Sequence, residues 1–268
     1  MGKPGVIGLF DSGVGGLTVA EEIFRTLPGE PVIYFGDTAN VPYGGRSAGE
    51  LISFGDRIVS FLIEQGAKYI VFACNTSSAV SLETLSRRYP VPMMGLIRPG
   101  ARAAVEATRS GRIGVLATEA TIRSGAHIQA IQALAPHAEV FGMPAPRLVP
   151  LVEAGELDTP RTEAALRGYL EPLQRRGIDC LLLGCTHYPF LGGLIRRLLG
   201  PGVVVVDPAA AAVAEVREDM ARLGLLGPPV LNPLHRYYVS GDAVSFARTA
   251  ALCTRRGPFA VDRLRLTG

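Results

Sequence analysis

Four cysteines occur in this 268-residue chain, and two of them close apolar runs. Tyr69-Ile70-Val71-Phe72 leads into Ala73-Cys74-Asn75-Thr76, and Cys180-Leu181-Leu182-Leu183 leads into Gly184-Cys185-Thr186-His187, 111 residues further on. Short uninterrupted apolar runs read as strands buried on both faces, so each thiol falls where a strand empties into a loop. Backbone N–H groups at such a turn lower a thiol's pKa from about 8.5 towards neutrality, the range a general base needs. A cysteine with a nearby histidine is open to nucleophilic chemistry, as in a thiol hydrolase or amidase. Two thiols in matched positions fit another task better. One removes a proton from one face of a carbon and the other returns a proton to the opposite face, which is what racemisation requires. Cys180 and Cys253 read as inert small hydrophobes.

Two further segments carry polar side chains at strand ends. Phe10-Asp11-Ser12-Gly13-Val14-Gly15-Gly16-Leu17-Thr18 places a carboxylate, a hydroxyl and three glycines at a strand-to-helix turn. That composition suits an anion held by backbone N–H groups, or a tight turn with Asp11 or Ser12 as helix cap. It is not a dinucleotide fingerprint, because the third glycine would have to stand at Thr18. Phe35-Gly36-Asp37-Thr38-Ala39-Asn40-Val41-Pro42-Tyr43-Gly44-Gly45-Arg46-Ser47 reads either as a loop offering Tyr43 and Gly44 to a small polar ligand or as a Pro/Gly turn, with its polar excess favouring the ligand loop.

The elements that must position these residues alternate. Strand-like runs at Val6 to Phe10, Val32 to Phe35, Tyr69 to Ala73, Met93 to Leu96, Ile113 to Ala117, Ala138 to Phe141, Cys180 to Leu183 and Val203 to Val206 are separated by helix-length segments, the pattern of parallel α/β sheets. The first four align with the second four: Ile7-Gly8-Leu9-Phe10 matches Ile113-Gly114-Val115-Leu116 at an offset of 106, and Phe35-Gly36 matches Phe141-Gly142. The expected fold is therefore α/β, with two similar domains of mainly parallel strands related by pseudo-two-fold symmetry and the active site in the cleft between them. A helix is expected from Ala209 to Leu223 and a late strand from Arg236 to Ser240, this tail packing back on the first half. The domains are then residues 1–97 plus 207–268, and residues 98–206.

Composition excludes several classes. The net charge of +3 is dispersed, in part over the doublets Arg87-Arg88, Arg175-Arg176, Arg196-Arg197 and Arg255-Arg256, and aromatics are 7% of the chain. Neither pattern makes a nucleic-acid surface; doublets of this kind are solvated helix faces. No apolar stretch reaches about 18 residues and no signal-peptide core follows Met1, so the expected setting is the cytoplasm and no membrane partner is expected. Free thiols are the default there, and no Cys-x-x-Cys spacing points to zinc or dithiol redox work.

Asp11-Ser12-Gly13-Val14-Gly15-Gly16-Leu17, Gly36-Asp37-Thr38, Val41-Pro42-Tyr43-Gly44, Ala73-Cys74-Asn75-Thr76, Pro150-Leu151-Val152-Glu153 and Gly184-Cys185-Thr186-His187-Tyr188-Pro189 together resemble, in order and spacing, the glutamate racemases of bacteria. The resemblance spans nearly the whole chain. It implies interconversion of L- and D-glutamate without cofactor or metal, pyridoxal phosphate included, supplying D-glutamate for peptidoglycan. It implies that Cys74 takes the proton from D-glutamate and Cys185 from L-glutamate, with Asp11 and His187 as their polar helpers and Glu153 as a carboxylate near the substrate ammonium. Asp11, Ser12, Pro42, Tyr43, Gly44, Asn75, Thr76, Thr118, Thr121, Thr186 and His187 map onto substrate-holding positions. A homodimer is also implied, and activity without a peptidoglycan-precursor activator. Asn40, Arg98, Ala120 and His127 depart from the family pattern, where Arg, an acid, Gly and Tyr are usual; these positions bear on regulation and dimer geometry. Racemisation of aspartate or another amino acid, thiol hydrolysis, and non-catalytic binding of a small molecule are the alternatives.

Overall fold

The structure is a computed structural model that describes residues 5–228, 230–254 and 259–266. The Arg255-Arg256 doublet lies outside the described residues. Among the described residues ten strands form two sheets. In chain order they are β1 (Val6–Asp11), β2 (Val32–Gly36), β3 (Ala67–Phe72), β4 (Met93–Gly95), β5 (Arg112–Ala117), β6 (Glu139–Pro144), β7 (Cys180–Gly184), β8 (Val204–Val206), β9 (Arg236–Val239) and β10 (Val261–Arg263). One sheet has the order β10-β9-β2-β1-β3-β4 and the other β6-β5-β7-β8. Every pairing described is parallel.

The order 2-1-3-4 in the first sheet recurs as 6-5-7-8 in the second, which gives the internal alignment a structural counterpart. Helices cover the sheets, so the central strands are buried on both faces and read as uninterrupted apolar runs. β3 and β7 occupy equivalent places, and each delivers a cysteine at its carboxyl end.

Apolar packing joins the two sheets. Ile7, Leu9 and Val71 of the first share one cluster with Leu116, Leu181 and Leu183 of the second. The helix Pro208–Arg222 contributes Ala212, Val213, Val216 and Met220 to the same cluster, and each larger side chain contributes about 1.5–3 kcal/mol on burial. Asp207 caps that helix by accepting from the Ala209 N–H at 3.0 Å, and Pro208 occupies its first turn.

Several boundaries differ from the sequence reading for local reasons. β4 stops at Gly95 because Leu96 already caps the helix Ile97–Ala107. β6 runs on to Pro144, which pairs with Ala117 across a sheet edge where its missing N–H is tolerated. β10 is three residues long, two of them charged, and has no apolar run to betray it. Of the arginine doublets, Arg88 pairs with Asp56 at 2.7 Å and Arg197 with Asp158 at 2.8 Å, both at the surface; such pairs contribute about 0–1 kcal/mol each. Among the described residues no helix is long and apolar enough to cross a membrane.

Candidate active site

The glycine-rich turn after β1 is organised around Asp11, which is fully buried. Its Oδ2 accepts from the N–H groups of Gly13 at 3.1 Å and Gly16 at 3.0 Å, and its Oδ1 accepts from the Thr186 hydroxyl at 3.1 Å. Burial raises the Asp11 pKa, while the charge of His187 and these donors oppose it. The Val14 N–H goes to Glu153 Oε1 at 3.1 Å. The amides of Gly13, Val14 and Gly16 are thus taken by the protein's own carboxylates, and the helix Leu17–Thr26 begins at Gly16 without a side-chain cap, so neither Asp11 nor Ser12 is its N-cap. The glycines have a further use. A Cβ at Gly13 would stand 2.0 Å from Glu153 Oε1, and one at Gly15 2.6 Å from His187 Nδ1, so bare backbone is what lets these groups of the second half come so close.

Cys74 follows β3 and caps the short helix Asn75–Val80 with an extended backbone. Cys74 is 5% exposed. Burial, reinforced by the charges of Asp11 and Cys185, pushes its pKa up to about 12, against the Ser77 N–H and hydroxyl, which favour the thiolate. The expected lowering towards neutrality is therefore reversed at Cys74: the helix N-terminus is present, but desolvation outweighs it. Asp11 acts on Cys74 through charge, its hydrogen bonds being directed elsewhere.

Cys185 follows β7 and is 6% exposed. Its Sγ lies 3.7 Å from His187 Nδ1, and His187 Nε2 donates to Glu153 Oε1 at 2.7 Å. Glu153 ends the helix Leu148–Glu153. Burial alone would lower the His187 pKa, but the hydrogen bonds and charges of Cys185 and Glu153 outweigh it and raise the pKa well above 6.5. Burial alone would raise that of Glu153, but His187 and the Val14 N–H outweigh it and lower the pKa. Cys185 thus faces an imidazolium and Cys74 a carboxylate. Glu153, which the resemblance places near the substrate ammonium, has His187 as its partner here.

Side chains from both halves also meet one another directly. The hydroxyls of Thr76, Thr118 and Thr121 form a triangle, Thr76 to Thr118 at 2.9 Å, Thr76 to Thr121 at 3.1 Å and Thr118 to Thr121 at 2.9 Å. Thr118 also caps the helix Glu119–Ser124. Gly44 packs against Thr118, whose Cβ would lie 3.0 Å from a Cβ at that position. Ser12 is buried. The Tyr43 ring packs with Cys74 and Leu51, while its hydroxyl donates to Asp37. Asp37 also accepts from Ser240 at 2.7 Å and from Asn40 at 3.0 Å. Pro42 follows a cis bond to Val41 and is exposed, outside this buried set. Asp37 is an organising residue that sequence reasoning passed over, although the Gly36-Asp37-Thr38 motif had singled it out. Tyr34, which donates to the Gly13 carbonyl at 2.7 Å, was hidden inside an apolar run. Among the described residues no three His, Cys, Asp or Glu side chains converge to hold a metal ion.

The chain and its fold have counterparts among known proteins. The family model described as Asp/Glu/Hydantoin racemase matches residues 7–216. The chain belongs to that family. It is similar to a glutamate racemase of Desulforudis audaxviator, with 55% identity over 98% of each chain. The solved glutamate racemase isoform RacE1 of Bacillus anthracis superposes with a TM-score of 0.94 at 39% identity, over 99% of each chain. Glutamate racemase of Francisella tularensis in complex with D-glutamate gives a TM-score of 0.90 at 31% identity, over 98% of each.

Proposed function

We propose that this chain is a glutamate racemase that exchanges protons at Cα between two cysteines in the cleft between residues 1–97 plus 207–268 and residues 98–206. The observation that carries the proposal is the pair of buried thiols at equivalent strand ends, one set against a carboxylate and the other against an imidazolium. In this reading Cys185, with His187 as its protonated partner, takes the Cα proton of L-glutamate. Cys74, kept as a thiol, then returns a proton to the opposite face to give D-glutamate. The product leaves with the two cysteines in exchanged protonation states, and that state is the one competent for D-glutamate. The exclusion of water strengthens every hydrogen bond to the developing carbanion, and Asn75, Thr76, Thr118, Thr121 and Thr186 are the side chains assigned to hold the substrate's polar groups. The same reading makes the enzyme independent of an organic cofactor, a source of D-glutamate for peptidoglycan, cytoplasmic and homodimeric.

A second reading rests on one observation: Cys185, His187 and Glu153 form a Cys–His–carboxylate chain like that of a thiol hydrolase. Cys74 has no role in such a reaction. Incubating each glutamate enantiomer in deuterated water with wild type, Cys74→Ser and Cys185→Ser separates the two. The racemase reading expects Cα deuterium in wild type and loss of racemisation in both variants. Wild-type racemisation by either variant overturns the two-thiol mechanism. Aspartate run in parallel tests substrate choice, and sedimentation tests the dimer.

A further inference from the structure

His127 lies in the helix Ala126–Leu134 and is 2% exposed. Its imidazole reaches between the two cysteine-bearing strand ends. Nε2 lies 3.1 Å from Asn75 Oδ1, beside Cys74 in sequence, while a Cβ at Gly184, the residue before Cys185, would stand 3.2 Å from the same nitrogen. Glycine at 184 is what leaves room for the ring. Two polar atoms at this contact have no hydrogen-bond partner among the described residues: His127 Nδ1 and Asn75 Nδ2.

We infer that His127 is a positioning residue, whose Nε2–H holds the Oδ1 of Asn75 and so fixes the carboxamide with its Nδ2–H₂ available to a substrate carboxylate. Two facts support the assignment. An amide can turn end for end with little change in shape, so one of its ends must be pinned for the other to be aimed. A buried donor left unpartnered costs about 1–3 kcal/mol, which a protein tolerates where a ligand will supply the acceptor. Burial pushes the His127 pKa down to about 4, so the ring is neutral at physiological pH. With Asn75 Oδ1 as the acceptor at 3.1 Å, the assignment puts the ring's single proton on Nε2 and leaves Nδ1 bare. The histidine is one of this chain's departures from the tyrosine usual in its family, and both side chains can donate one hydrogen bond.

This inference rests on the racemase reading, and the experiment separates their failures. His127→Met removes the donor at nearly constant volume, and His127→Gln restores one. For glutamate racemisation, His127→Met is expected to lower kcat/KM about tenfold, the worth of one hydrogen bond, while His127→Gln recovers most of it at an equal melting temperature. The same comparison is made in an Asn75→Ala background. There His127→Met is expected to cost less than twofold, because the group it positions is gone. Full, independent losses in both backgrounds, or a Gln variant no better than Met, would overturn the inference and leave the racemase intact. A wild type unable to exchange Cα protons of glutamate would overturn both. If His127→Met is insoluble, His127→Leu serves as the variant without a donor.

Discussion

Gly15→Ala tests whether the bare backbone after β1 is what holds His187 against Cys185. Gly15 is not among the glycines with positive φ, so its backbone accepts alanine and only the added methyl matters. That Cβ would stand 2.6 Å from His187 Nδ1 and 2.5 Å from Thr186 Oγ1, where ordinary contact begins at 3.4 Å. The imidazole has to retreat by about 0.8 Å, and the nitrogen that moves is the one facing Cys185 Sγ across 3.7 Å. Loss of a hydrogen bond to a charged group costs about 1.5–3 kcal/mol, which predicts a fall in kcat/KM of roughly 10- to 150-fold. Overpacking costs about 1–3 kcal/mol of stability, at roughly 2–4 °C per kcal/mol in a chain of this size. Because the two enantiomers have equal free energy, kcat/KM falls equally in both directions, and the direction of the defect must be read from isotope effects. Slowing transfer at Cys185 raises the primary effect for α-deuterated L-glutamate and lowers that for D-glutamate. The control is Gly49→Ala, an exposed position with no atom within 4 Å of the added Cβ, expected to keep wild-type activity. Unchanged kinetics in Gly15→Ala, or the opposite isotope pattern, would refute the reasoning.

Other outcomes follow from the same geometry. Peptide-resolved alkylation of Cys74 is expected to quicken about tenfold per pH unit through pH 10 without a plateau, in line with a thiol pushed up to about 12; a plateau near pH 8 would contradict it. Thr76→Val removes one corner of the hydroxyl triangle but leaves the bond between Thr118 and Thr121, so chemical denaturation is expected to show a loss of about 1 kcal/mol. In the Glu153–His187 pair the signs differ. Glu153 is lowered from 4.5, so its contribution is present above that value and is lost as pH falls through its folded pKa. His187 is raised above 6.5, so its contribution is complete below that value and is lost as pH rises through its folded pKa. The stability difference between wild type and Glu153→Gln, followed by denaturation across pH, is therefore expected to be greatest between pH 4.5 and 6.5 and to narrow on either side.

The sheets were legible because their central strands are buried on both faces, and the runs at 6–10, 69–73, 113–117 and 180–183 record that burial directly. β10 was not legible, since Val261–Arg263 is held by backbone pairing to β9 and carries no apolar signature. The thiols could be located because each directly follows a glycine or alanine at a strand end. Their acidity could not be read in the same way: a helix N-terminus is visible in sequence, but the desolvation that dominates at Cys74 depends on what the other half of the chain lays over it. Glu153 was found by its motif but given another partner, because the hydrogen bond to His187 joins segments 34 positions apart through the fold.

The two halves repeat a frame but not its chemistry. β3 and β7 present their cysteines at equivalent ends, yet the surroundings of the two thiols differ. The difference comes from what crosses between the halves. Asp11, at the end of β1, brings negative charge towards Cys74 and also orients Thr186 from the other half. Glu153 and His187 form the opposing chain on the Cys185 side, reaching the turn after β1 through Val14. In the proposed reaction the two thiols exchange roles with each turnover, and these crossed, oppositely charged partners are what make their surroundings unequal.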